Sequence, residues 1–329
     1  TATGFNTLRD NTTGSSNTAV GWSALLHNIN GLRNTATGAG SLDHNIDGNY
    51  NTANGSFTLG TNKAGSYNTA YGVQANYTNQ NGSFNTSSGC FALISNLSSD
   101  NTAVGYEAIS ANINGDGNTA VGKQSMKSGT AGFQNTAAGY QSMYNNAANY
   151  NTAFGTQALY SNTNGNGNVA LGSFAGYSWT GIAFCTLAGY GADVNANSLF
   201  NATAIGWDAI VDGSNKVRVG NSFVTSIGGY ANWTNVSDGR VKKNIKANVP
   251  GLAFINKLQP VTYNLNLEEA DKIIQRPAKK DKDGKSIPTA TEDAVARKAK
   301  EAVLYTGFVA QDVEKAAKSL NYDFSGVDA

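Results

Sequence analysis

Charge is what this 329-residue chain has least of: only 14% of its residues are Asp, Glu, Lys or Arg, against roughly 25% in an average soluble domain. Cysteine, methionine and histidine occur twice each and proline four times, which excludes a disulfide-stapled scaffold and a cysteine-rich metal framework. A formal net charge of +1 leaves no electrostatic footprint for nucleic acid. No apolar run approaches the ~20 residues of a membrane-spanning helix. No signal peptide is visible, because the chain opens inside a repetitive pattern at Thr1, so the secretion route is not legible.

The shortage of charge is uneven. Residues 1–236 carry 7 basic and 9 acidic side chains, whereas residues 237–329 carry 16 and 13. Glycine divides at the same place, with 33 of 38 lying before Ser237. Two compositions in one chain exclude a single uniform globular enzyme domain and imply a repetitive body followed by a differently built tail.

The body is one repeat. Asn-Thr-Ala-x-Gly recurs at Asn17, Asn34, Asn51, Asn68, Asn101, Asn118, Asn135 and Asn151, with degenerate copies from Asn85, Asn168, Cys185 and Asn201. The closing glycines, from Gly4 through Gly21 and Gly38 to Gly189 and Gly206, are spaced by 16 or 17 residues over thirteen copies. So strict a period marks a solenoid in which each repeat forms one coil. Two places after the Asn the residue is nearly always Ala. Eight places after it the residue is usually large and apolar (Leu25, Leu42, Leu59, Leu93, Ile109, Met126, Met143, Leu159), and this column forms the core. Coils this short cannot be helix pairs, so the pattern predicts an all-β parallel roll of short strands. Its loops carry Asn30-Gly31, Asp47-Gly48, Asn81-Gly82, Asn114-Gly115 and Asn164-Gly165, pairs expected to take positive φ. At ~4.7 Å per coil the rod is about 60 Å long. One Leu or Met per coil is a thin core against ~1–2 kcal/mol of backbone entropy per residue. The small Ala column suggests that copies approach closely, most simply as a threefold rod.

The repeat resembles the head of trimeric autotransporter adhesins, the YadA-like left-handed parallel β-roll. The nearest copy is Asn201-Ala-Thr-Ala-Ile-Gly206, followed by Asp212-Gly-Ser-Asn215 and Lys216-Val-Arg-Val-Gly-Asn221. The family repeat is shorter, and the excess here falls in the Asn/Gly loop. In the tail, Ser237-Asp-Gly-Arg-Val-Lys242, a helical stretch Leu252 to Leu258, a strand Val261 to Leu265, and Tyr305-Thr-Gly-Phe-Val-Ala310 leading into Gln311-Asp-Val-Glu-Lys315 follow in order. These blocks resemble the C-terminal intramolecular chaperone and auto-processing domain of phage tailspikes, tail fibres and endosialidases. The resemblance implies trimerisation, assisted folding of the preceding fibre, and self-cleavage at Val236-Ser237. Ser237 would be the nucleophile and Lys242 the general base, with Asp238 and Arg240 supporting. A hydroxyl needs a base to take its proton, and nearby positive charge or burial fits a Lys for that task. Taken alone, Ser237-Asp238 reads as an N-cap or turn and Lys242 as a solvated lysine. The family domain continues beyond the Gln-x-Val-Glu helix, whereas the sequence in hand ends at Ala329. Residues 268–301, rich in Lys, Asp and Ala, read as a flexible insertion with a short helix.

Other features point to less. Asp43 with Asp47, Glu107 with Asp116, and Asp208 with Asp212 are the carboxylate pairs a glycan-cleaving enzyme would need in one cleft, but a thin rod implies no cleft. The threonines after each motif Asn form a ladder beside the Ala column. They read as structural, because ice-binding arrays usually pair two such columns. Numerous aromatics are expected at inter-chain seams, with some free to stack on a host glycan. Cys90 and Cys185 lie more than five coils apart and cannot pair within a chain. His27 and His44 lack partners at ligand spacing, so no metal site is expected, and no cofactor is implied.

The expected architecture is thus a trimeric left-handed β-roll over residues 1–230, a linker at 231–236 and an α+β chaperone-like domain at 237–329. The expected function is that of a tail fibre or adhesin of a phage or phage-tail-like particle, located on a virion tail. Its partners would be two further copies, a host surface glycan or protein receptor, and a baseplate or other fibre subunit at the N-terminus. The alternatives are a bacterial cell-surface trimeric adhesin and a glycan-depolymerising tailspike. Any enzymatic step would be single-turnover self-cleavage.

Overall fold

Three residues set each coil. In the computed structural model, which describes residues 1–129, 132–225, 227–228, 240, 242–247, 249–274 and 294–324, the Thr-Ala-x after each motif Asn is a three-residue strand, as in Thr18–Val20, Thr35–Thr37 and Thr52–Asn54. Fourteen such strands, from Ala2–Thr3 to Val217–Val219, form one parallel sheet in chain order. Like pairs with like: Ala19 faces Ala36 and Ala36 faces Ala53. A short parallel pair, Asp193–Val194 with Ile210–Val211, adds a second sheet near the end of the solenoid. The chain divides into two compact units, one built on Thr1–Asn221 and the other on Ser222–Ile273 with Glu292–Ala329. The fold is the expected parallel β-solenoid of about thirteen turns with a small α+β region after it.

Strand alternation decides which side chains are buried. The middle Ala of each strand is fully buried at Ala19, Ala36, Ala53, Ala70, Ala103 and Ala120, and the core column from Leu25 to Leu159 is at most 3% exposed. Ala is required because it faces the core column across the narrow coil. The sequence reading used this column as a surface for close approach between copies. The structure corrects that, since the alanines point into their own coil. The residues that point outward are the Thr before and the variable residue after each Ala.

The loops are corrected as well. The Asn-Gly pairs do not take positive φ. The buried core column does, at Leu25 (φ 51), Leu42 (φ 50) and even the β-branched Ile109 (φ 46), as does the residue before the motif Asn, such as Tyr50 (φ 56). The left-handed conformation costs ~1–2 kcal/mol for a residue with a Cβ, which burial of a whole Leu, worth ≈ 1.5–3 kcal/mol, offsets. The Asn-Gly loops are closed instead by buried amides. Asn28 Nδ2 donates to Gly31 O at 3.0 Å and Asn45 Nδ2 to Gly48 O at 2.9 Å.

Those amides also join coil to coil. Asn45 donates to Asn28, Asn62 to Asn45 and Asn79 to Asn62, each at 2.7 Å. The motif asparagines form a second ladder: Asn34 N donates to Asn17 Oδ1 at 2.8 Å, while Asn34 Nδ2 donates to Gly48 O at 2.8 Å. Only a side chain with both donor and acceptor serves both ends of this geometry, hence Asn. In a 16-residue coil the missing residue comes from the loop: Asn96 Nδ2 bonds Ser98 O at 2.8 Å, two residues on rather than three, and Asn112 still donates to Asn96 at 2.8 Å. The motif glycine is fixed by crowding, since a Cβ on Gly38 (φ +128) would lie 2.5 Å from Gly55 O.

One coil breaks the core. Asn76 occupies the Leu slot between Leu59 and Leu93, fully buried, and neither atom of its amide has a hydrogen-bond partner. The buried apolar residues accordingly form two clusters, one ending at Ala75 and the other beginning at Ala92.

The second unit is built differently. Strands Val261–Tyr263 and Tyr305–Gly307 pair antiparallel with Tyr263 opposite Tyr305. Helices Leu252–Ile255 and Ala310–Lys318 bring Phe254 against Ala316 and Ala317, with Val313, Leu320, Tyr322 and Phe324 around them. Where the sequence suggests a flexible insertion, helices Leu267–Ile274 and Ala294–Glu301 occupy the two ends. The first is favoured by Asn266, whose Oδ1 accepts from Glu269 N at 3.1 Å, and by the pairing of Lys272 with Glu268 and Glu269. Residues 275–293 lie outside the described set.

Candidate functional site

The residues expected to cut the chain are only partly placed. Ser237, Asp238 and the Val236-Ser237 bond lie outside the described residues, as does the 231–236 linker. Arg240 and Lys242 are both exposed to solvent. Elsewhere in this unit Lys300 is buried and donates to Val224 O, and burial pushes its ammonium below the ordinary lysine range.

The outward face of the long sheet runs along all fourteen of its strands. Its variable column reads Thr3, Val20, Thr37, Asn54, Tyr71 and Ser88 in the first half, then Val104, Val121, Ala138, Phe154, Leu171, Ala188, Ile205 and Val219. The second half is an unbroken apolar stripe over eight successive strands, and Phe154, Leu171 and Ile205 in it are 44–47% exposed. Trp22, Val73, Tyr106 and Trp207, one residue past the motif glycine, extend the exposed apolar surface beside it.

The residues preceding the motif asparagines form a different column. Arg33 caps a stack in which Tyr50 and Tyr67 lie 4.9 Å apart at 5° and Tyr67 and Phe84 lie 5.2 Å apart at 6°. Flat stacking uses the ring faces on one another, so this ladder presents edges and not faces to a sugar. The column is interrupted at Gly117, and there a groove of about 480 Å³ opens between Asp100, Asp116, Phe133, Gln134 and Tyr150. Tyr150 is 62% exposed at its rim. Of the acids expected in pairs, Glu107 is taken by Lys127 at 2.6 Å, Asp212 by Arg218 at 3.0 Å and Asp47 by Asn30 at 2.7 Å. These three serve as structural acceptors.

The histidines are not isolated. His27 Nδ1 lies 3.2 Å from Asp43 Oδ1, His44 Nδ1 lies 3.6 Å from Asp43 Oδ2, and His27 Nε2 lies 3.7 Å from Asp10 Oδ2. The ring centroids are 4.9 Å apart. The solenoid makes neighbours of residues one period apart, and 10, 27 and 44 differ by 17 each. That spacing was legible, but it falls outside the short ligand spacings of helix or hairpin metal sites. Cys90 and Cys185 are free thiols, as expected from their separation, and burial raises the Cys185 thiol above its ordinary range.

Among the described residues, no helix is long and apolar enough to cross a membrane. No curated protein matches the chain. Residues 237–322 match the family described as the chaperone of endosialidase. The match begins at Ser237, the residue at which charge and glycine content change. A parallel β-solenoid body joined to a region similar to that chaperone supports a protein of the tail-fibre or endosialidase-like type.

Proposed function

We propose that the chain is the shaft and receptor-facing part of a homotrimeric fibre on a phage or phage-tail-like particle, assembled through its C-terminal chaperone-type region. The observation that carries this reading is the apolar stripe from Val104 to Val219 on the open face of a parallel sheet. Parallel sheets are ordinarily covered on both faces, and exposed stripes of this kind mark interaction surfaces. A second and third copy fit it because each brings the same stripe in the same 16- or 17-residue register, and a closed ring leaves none uncovered. Leu252, Ile255, Leu304 and Phe308, all exposed in the second unit, call for the same cover. The likeness of the repeat to YadA-type heads agrees with this reading. The groove at Gly117, with an aromatic rim and two carboxylates, is the part of the shaft best suited to a host glycan. The N-terminal end would join a baseplate or another fibre subunit.

Self-cleavage belongs to the same reading. Ser237 Oγ attacks the Val236 carbonyl carbon while Lys242 takes the hydroxyl proton. The Val236–Ser237 amide nitrogen leaves with a proton, and water then opens the resulting ester. Mass spectrometry of the purified protein tests this step, since a folded chain still at 34.2 kDa overturns it. Sedimentation tests the assembly. The expected species is three chains, and Phe154→Asp with Leu171→Asp should return it to one. A monomeric parent protein, or an unchanged trimer in the double variant, refutes the stripe as the interface.

A further inference from the structure

We propose that His27, Asp43 and His44 form a binding site for one divalent first-row transition cation of the zinc or nickel class. One potential ligand atom from each of the three residues lies within 4.8 Å of the others. The closest approaches, 3.2 Å between His27 Nδ1 and Asp43 Oδ1 and 3.6 Å between His44 Nδ1 and Asp43 Oδ2, run to the two different oxygens of one carboxylate, and each is near the edge of about 3.4 Å expected for a tetrahedron with metal–ligand bonds near 2.1 Å. Small rotations of exposed imidazoles therefore suffice to bring all three onto one ion. The backbone holds the donors in register, since His27 N bonds Asp43 O at 2.8 Å and His44 N bonds Gly60 O at 3.2 Å.

The surroundings suit a metal better than a bare hydrogen-bonded cluster. The next side chains in the histidine column, Thr61 and Thr78, send their hydroxyls to the backbone of the following coil, so a hydroxyl already satisfies that position structurally. Imidazole adds to it a neutral nitrogen donor, which favours zinc, nickel or copper over calcium or magnesium. Asp10 Oδ2, 3.7 Å from His27 Nε2, is placed to accept the far ring N–H when Nδ1 is on the metal, the carboxylate–histidine–metal arrangement that orients such ligands. Asp10 is itself held by Arg9 at 2.9 Å. Three protein ligands leave a fourth position for water or for a donor from a partner. The ion would clamp the second and third coils directly and the first through Asp10.

The test is titration of the chelator-treated full-length protein with Zn²⁺ by calorimetry, with Co²⁺ absorption as a geometric readout. One ion per chain is expected, with the intense visible bands of four-coordinate Co²⁺ and no displacement by excess Ca²⁺ or Mg²⁺. His44 Nδ1 also lies 3.2 Å from Gly60 O, a contact it would exchange for the ion with its proton moved to Nε2. His27→Ala and His44→Gln should each abolish stoichiometric binding while leaving the circular dichroism spectrum of the metal-free protein unchanged, so that loss is not a folding effect. Asp10→Asn should weaken binding about tenfold. Absence of binding to the parent protein, or binding that survives the His27→Ala and His44→Gln double variant, overturns the proposal.

Discussion

The solenoid and the C-terminal unit solve burial in opposite ways. In the solenoid each coil is completed by the next: every Ala and Leu of the column, and every ladder asparagine, finds its partner one period away in the same chain. Among the described residues the second unit buries a small cluster of Phe254, Ala316 and Ala317 inside a ring of half-covered residues, with Leu267 buried apart from it, and it leaves Leu252, Leu304 and Phe308 in solvent. A repeat propagates its own core from any start. A small mixed unit with so much apolar surface exposed is what the proposed trimer would have to cover. In the proposed trimer, an associating unit at one end of a self-propagating one would let the number of chains be set once and the shaft be zipped behind it.

The strongest way to break this comparison is to remove the dependent unit. Deletion of residues 237–329 should abolish soluble trimers on sedimentation, and soluble trimers from residues 1–236 would show that the shaft assembles by itself. Next in size, Leu59→Ala opens a cavity that neighbouring coils cannot fill and should cost 2–5 kcal/mol in denaturant unfolding. Loss confined to the coils around Leu59 by hydrogen exchange would separate the solenoid's local cooperativity from the second unit's global one. Asn76→Leu runs the other way. It replaces a buried amide without a partner by the residue found above and below it, and should stabilise the shaft by about 1–3 kcal/mol, raising its melting temperature and joining its two core clusters.

The smallest expected effect is one of pH. For Glu107, burial is the largest single influence and works to raise its carboxyl, but hydrogen bonds from Lys127 and Gln124 together bring it below the ordinary range. A lowered folded value means that the stabilisation is fully present above the unfolded Glu pKa of about 4.3 and is lost as pH falls through the folded value. The effect should be about 1 kcal/mol or less for a pair that solvent still reaches in part, and it should vanish in Glu107→Gln. The same acid loss in that variant would assign it to another group.

Much of the solenoid was legible because its rules are local. A period of 16 or 17 with Ala and Leu in fixed columns gives short strands, a Leu core column and the stacking order without reference to distant residues. What escaped were matters of backbone and of neighbourhood. Asn30-Gly31 has the composition of a left-handed turn, yet the amide of Asn28 closes that loop and the left-handed residue is Leu25, whose burial offsets the strain. The Ala column looked like a contact surface because small residues suit both a crowded interior and a close interface, and only the coil's width separates the two. His27 and His44 became partners through the period itself, an inference that reading for short ligand motifs does not make. In the tail, order of blocks carried the resemblance, but the position of Lys242 relative to Ser237 depends on a backbone path that the motif does not specify.

The 16-residue coils carry a last consequence. Because Asn96 turns its amide onto Ser98 O and still accepts from Asn112, leaving Asn79 Oδ1 in the preceding coil without a partner, a residue can be lost from the loop at the cost of one ladder bond without the sheet shifting by one step. The shaft thus behaves as a ruler whose graduations ignore what hangs from them. A one-residue deletion confined between the second asparagine of a coil and the next motif leaves the strand register intact, so this loop is where the repeat can vary in length.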